Sequence, residues 1–101
     1  MLRKSEKFNR ILSHVCDVTG ETKQDILSSS KLIDVCMARN LLFLSCKRIG
    51  MRPITIQQLC KKQGWQSVGH STVLKNITKA KDLEEKNEEF KSVLHEIIQS
   101  I

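Results

Sequence analysis

The sequence predicts an all-α domain of about six helices, and three observations carry that expectation. Apolar residues recur at helical spacing through most of the 101 residues. Strand-like alternation is nearly absent. The single proline and the four glycines fall between the periodic segments rather than inside them. A chain of this length makes one domain, able to bury about two-thirds of the surface its unfolded form exposes.

The elements follow in order. A first helix opens near Ser5, carries Phe8, Ile11, Leu12, Val15 and Val18 on its apolar stripe, and stops at Gly20. Thr22 with Asp25 three residues later reads as a capping box for a short second helix through Ile26 and Leu27. SSSK (28–31) breaks the pattern as a loop. A third helix over about 32–49, rich in Leu, Phe and Cys, is expected to be mostly buried. Pro53 biases Arg52 away from helix. Thr55 and Gln58 then read as a second capping box for TIQQLCKKQG, with Gly64 as the stop. Ile56, Leu59 and Cys60 face inward there, and Lys61 and Lys62 outward. The connector WQSVG leads to a fifth helix over about 70–82, whose Val73, Leu74 and Ile77 are expected to point inward while Lys75 and Lys79 share the outer face. Phe90, Val93, Leu94, Ile97, Ile98 and Ile101 form the stripe of an acidic closing helix.

Composition excludes several classes. The most apolar block, LLFL (41–44), is far shorter than the roughly 18 residues of a membrane span. MLRKSEKFNR has no apolar middle of the kind a signal peptide carries, so the expected location is the cytosol or nucleoid. Cys16, Cys36, Cys46 and Cys60 form no CxxC pair and fall among apolar residues, as small core residues do. His14, Cys16 and His95 have neither the spacing nor the number for a metal site. With no paired carboxylates, no nucleophile–base set and no GxxxxGK[ST] loop, the expectation is a binding protein and not an enzyme, with no cofactor, nucleotide or metal.

Charge distribution points to a partner. The net charge is +6, and between Asp34 and Asp82 lie nine basic residues and no acidic one: Arg39, Lys47, Arg48, Arg52, Lys61, Lys62, Lys75, Lys79 and Lys81. The rest of the chain holds eight basic and eleven acidic residues. An acid-free basic block of this length fits a polyanion. A short helix over about 55–63, a turn, and a helix over about 70–82 form a helix-turn-helix in outline, whose second helix enters the major groove of double-stranded DNA. His70, Ser71 and Thr72 then stand at a helix start where small polar side chains reach base edges or phosphate, and the helix end itself favours anions. A rival reading is a helical protein–protein adaptor with Phe43 or Trp65 as exposed anchors. Trp65, in a polar connector, reads better as a lid over the core.

GHSTVLKNITKA (69–80) resembles the D-H-[ST]-T-V-x-x-A signature of the C-terminal DNA-binding domain of the bacterial chromosomal replication initiator DnaA. DILSSSK (25–31) is similar to that family's D-[IL]-L-S-x-x-R, ARNLLFL (38–44) to its A-R-Q-x-A-M-x-L helix, and TIQQLCKKQG to its S-L-x-x-I-G-x-x-F-G. The resemblance runs in order from residue 8 to about residue 82. It implies a compact helix-turn-helix of the DnaA C-terminal, Trp-repressor-like type, over residues 1–101 with its core at about 55–82. It also implies a role in replication initiation or its regulation, or in transcription regulation from the same surface, with other replication or regulatory proteins as further partners. Residue by residue, it implies base reading by His70 and Ser71 with Lys75 beside them, phosphate contacts from Thr72, Lys79, Thr55, Arg39 and Asn40, and Lys31 in the minor groove. Gly69 stands where the signature has Asp, SSSK carries one positive charge where the family has several, and WQSVG is slightly longer than the family's connector. DNA binding is therefore implied, and the family's own target box is not.

Overall fold

The computed structural model describes residues 3–101. Six helices run in order, α1 (Lys4–Thr19), α2 (Lys23–Ile26), α3 (Ile33–Arg48), α4 (Pro53–Lys62), α5 (His70–Lys86) and α6 (Glu88–Gln99). No strand occurs among the described residues. α3 is the axis of the packing and touches each of the other five helices. Residues 41–46 of α3 are buried on every side, as expected for a helix apolar all round. Around it Phe8, Ile11, Leu12 and Val15 of α1, Ile56 and Leu59 of α4, Val73 and Ile77 of α5 and Phe90, Leu94 and Ile97 of α6 close one hydrophobic cluster.

Cap chemistry sets most of the boundaries. Thr22 accepts a hydrogen bond from the Asp25 N–H at 3.1 Å, as the sequence predicts. The second expected box does not form. α4 begins two residues earlier, at Pro53, with extended Arg52 as its N-cap, because proline's fixed φ and missing N–H suit the first helical position. Thr55 thus sits inside the first turn, its own N–H bonded to Arg52 O at 2.9 Å.

α5 also runs past its expected end at Asp82, to Lys86. Glu84, on the added turn, hydrogen-bonds Arg48 of α3 at 3.0 Å and lies 3.4 Å from His95 Nε2 on α6. That bond to Arg48 holds the Glu84 carboxyl below its usual range. Asn87 alone separates α5 from α6, and its Oδ1 caps α6 by accepting from Phe90 N.

Two apolar positions depart from the expected stripes. Val18 is 41% exposed, at the lip of a groove that it lines with Met37, Leu41, Phe90 and Val93. Leu74 is 44% exposed, whereas Val73 and Ile77 are buried. At about 100° per residue, Leu74 is rotated off the face that Val73 and Ile77 share and joins the outer one. Cys46 and Cys60 are core residues as expected, and burial pushes the Cys60 thiol up to about 12. Cys16 and Cys36 are only half-buried.

Paired truncations on α5 test this rotation. Ile77→Ala should lower unfolding free energy by about 2–5 kcal/mol through the cavity it leaves. Leu74→Ala should stay within about 0.5 kcal/mol. Urea midpoints at unchanged slope report both values, and a large loss at Leu74 would return that residue to the core.

Candidate nucleic-acid interface

The connection between α4 and α5 is fixed by three separate devices. α4 ends in a Schellman arrangement: Gly64 has φ +109°, its N–H bonds Lys61 O, and the Trp65 N–H reaches back to Cys60 O at 3.0 Å. Trp65 folds inward and stacks on Phe43 of α3, ring centroids 6.3 Å apart. It is a lid on the core, as predicted, and Phe43 beneath it is fully buried. Neither ring is exposed as a surface anchor. Gln57 Nε2 donates to Val68 O at 3.2 Å and ties the end of the turn back to α4.

Gly69 then caps α5 with no side-chain hydrogen bond, and no acidic residue stands in the first turn. The N–H groups of His70, Ser71 and Thr72 are therefore left without intrahelical partners. α5 presents two polar stripes. His70, Ser71 and Lys75 lie exposed on the outer surface with Leu74 and Thr78 between them. Thr72, Asn76 and Lys79, at helical spacing, instead line a cavity of about 140 Å³. Its other walls are Ser28, Ser29 and Lys31 from the α2–α3 loop, Cys36, Arg39 and Asn40 from α3, and Trp65 and Ser67 from the turn. The lining contains three basic residues and no carboxylate.

Five of the residues singled out from the sequence, Lys31, Arg39, Asn40, Thr72 and Lys79, thus meet at one place although they span 49 positions of sequence. Thr55 does not join them. It borders a separate depression with Arg3, Lys4, Gln58 and Lys62.

Arg39 requires a correction. Only 3% of it is exposed. Its guanidinium donates to Ile26 O at 2.8 Å, Ser30 O at 3.0 Å and Asp25 O at 3.3 Å, and lies 5.2 Å from the centre of the Trp65 ring. A side chain so engaged is not a free phosphate ligand. It closes the α2–α3 loop against α3, and its charge acts on the cavity from within the wall. Among the described residues Arg39 pairs with no carboxylate. Asn40 is also buried, and its Oδ1 has no hydrogen-bond partner; nor has the Nε1 of Trp65.

Sequence reasoning missed Asn76, Ser67 and Leu74. Asn76 was accessible to it, since it falls four residues after Thr72 and three before Lys79. Its Nδ2 donates to Thr72 O at 2.9 Å. Ser67 had no sequence signal, because only the folded turn brings it to α3.

Replacing Arg39 separates its structural role from direct binding. Arg39→Ala removes the donor to the buried Ile26 carbonyl and the guanidinium bonds to Ser30 O and Asp25 O, and should cost about 1–3 kcal/mol of stability. Arg39→Lys should recover only part of that loss, since an ammonium cannot span the three acceptors as a planar fork does. If Arg39→Ala kept parental stability and only weakened polyanion binding, the direct phosphate role would be restored.

Compared with protein-family models, with curated proteins and with solved structures, the chain matches none of them.

Proposed function

We propose that this chain binds double-stranded DNA with sequence preference, in replication initiation or its regulation. The start of α5 enters the major groove, and a backbone phosphate lies at the mouth of the cavity beside it. The reading is one of binding and not catalysis. The observation that carries it is the cavity: two lysines, a buried arginine with no carboxylate, hydroxyls and amides converge there, directly beside an uncapped helix start. A buried cation without a counter-charge is costly. A phosphate oxygen at this mouth would offset it and accept from Lys79 and Thr72 at once. Phosphate contacts position a protein on the duplex, and base edges give sequence preference. On α5 the groups free for base edges are His70, Ser71 and Lys75, and Leu74 is placed to meet a thymine methyl between them. The resemblance to the DnaA C-terminal domain supports the same docking and supplies the process.

Salt titration of DNA affinity tests the phosphate contact. Lys79→Ala should weaken binding alike on selected and random duplexes and flatten the plot of log affinity against log salt by about 0.9. Ser71→Ala should instead cost about 1–3 kcal/mol on the selected site alone. Equal losses for Ser71→Ala on both duplexes, or an unchanged slope for Lys79→Ala, would refute this docking.

Gly69→Asp probes the N-cap itself. A Cβ at Gly69 meets nothing closer than Thr72 Oγ1 at 3.9 Å, and the backbone there is extended with φ −100°, so the aspartate fits without strain. It should raise stability by only about a few tenths of a kcal/mol as a cap. Its charge should weaken binding to random DNA and shift the selected site toward cytosine, whose amine it can accept from. Identical preferred sites from parent and variant in selections from random pools would place the α5 start away from the bases.

A further inference from the structure

Leu32 and Ile33 are 70% and 80% exposed, well above every other large apolar side chain described, and they are neighbours in sequence. Leu32 is the extended N-cap of α3 and Ile33 its first residue, so the pair projects from the corner where the α2–α3 loop enters that helix. Exposure of two adjacent aliphatics at a helix start has no folding rationale: nothing in the core needs them, and each is hydrated at a cost.

Their place relative to the cavity gives them one. Thr72 and Lys79 of α5 form one wall, and Lys31, the residue before Leu32, belongs to the other. With α5 in a major groove, the strand whose phosphate lies at the cavity mouth is the border of that groove. Beyond the same strand lies the adjacent minor groove. On the docking proposed above, the corner past Lys31 is turned toward that groove. Asp34, the residue after Ile33, lines a different groove, with Val18, Met37 and Phe90. Lysine next to exposed aliphatics at a minor groove is the combination by which architectural proteins hold the groove with charge and wedge apolar side chains between base steps.

We infer that Leu32 and Ile33 form an apolar wedge that enters the minor groove, partly unstacks one base step and bends the DNA away from it. The inference rests on the DNA-binding reading above and adds to it a deformation and a second source of sequence preference. Pyrimidine–purine steps open most easily, so the wedge favours such a step beside the site read by α5.

End-to-end energy transfer on a duplex of about 25 base pairs recovered from a random pool measures the bend directly. The parent should bend it by at least about 20°, the lower end of what wedging side chains produce. The double variant Leu32→Ser, Ile33→Ser, altered only at exposed positions, should keep its helical circular dichroism and its salt slope yet leave the duplex nearly straight. Its selected sites should also lose the pyrimidine–purine step. A variant that bends the duplex like the parent overturns the wedge while leaving DNA binding intact. A variant with unchanged DNA behaviour but lost self-association in sedimentation would make the pair a protein contact instead. If the parent shows no salt-sensitive DNA binding, the docking reading falls, and the wedge with it.

Discussion

The guanidinium of Arg39 holds together what the rest of the surface depends on. It is buried in α3, reaches the Asp25 and Ile26 carbonyls at the end of α2 and the Ser30 carbonyl of the following loop, and packs against the Trp65 ring of the α4–α5 turn. Two connections far apart in sequence are thereby referenced to one helix. Backbone carbonyls of a short irregular connection have no ladder to satisfy them, and an unpaired buried carbonyl costs about as much as a lost hydrogen bond. One planar fork with five donors resolves that problem and fixes where Ser28, Ser29 and Lys31 stand relative to α5. The same choice leaves a positive charge in the wall of a cavity that has no carboxylate of its own. Structural and electrostatic consequences come from one residue.

The basic block does not act uniformly once folded. Arg39 is internal, and Arg48 is committed to Glu84 on the last turns of α5. Other members, such as Lys61, Lys62, Lys75, Lys79 and Lys81, remain exposed. Pairing Arg48 with Glu84 lies beyond the functional stripe, where α5 meets α3 and α6. There a carboxylate serves to lengthen the helix and join it to His95 without approaching the groups at the helix start. Opposite charges meet at the rear of α5, and positive charge is left alone at its front.

What could be read from the sequence was whatever depends on spacing alone. The stripe of Phe8, Ile11, Leu12 and Val15, the burial of α3, the Thr22 cap and the inward Trp65 all follow from helical period and local chemistry, whereas Lys75 and Lys79, expected to share one outer face, fall on different stripes of α5. The misses depend on partners distant in sequence. α5 extends past Asp82 because Glu84 finds Arg48, 36 positions earlier. Arg39 is interior because a loop 9 to 14 residues before it supplies acceptors, which no pattern of apolar residues reports. Leu74 illustrates the limit within a single helix. Its neighbours Val73 and Ile77 define a core face narrower than three adjacent apolar residues can share, and hydrophobicity alone cannot say which of them is left outside. Five of the cavity's residues were individually named, but their convergence was visible only after folding.

The uncapped start of α5 is the last element to place. Helices usually satisfy their first N–H groups with a side chain, and Ser, Thr, Asp or Asn at the N-cap does so at little cost. Gly69 forgoes that although its backbone would accept a side chain. Glycine there sacrifices only a few tenths of a kcal/mol relative to such a cap, so the fold tolerates the choice without requiring it. What it leaves is a set of free donors and the positive end of a 17-residue helix with no acidic residue in its first turn. The segments flanking the basic block carry all of the chain's acidic residues, so positive charge is concentrated in one part of the sequence. A field of one sign orients a partner before contact. On the proposed reading, such a field turns this face toward DNA first, and the finer groups at the helix start act only after that orientation has been set.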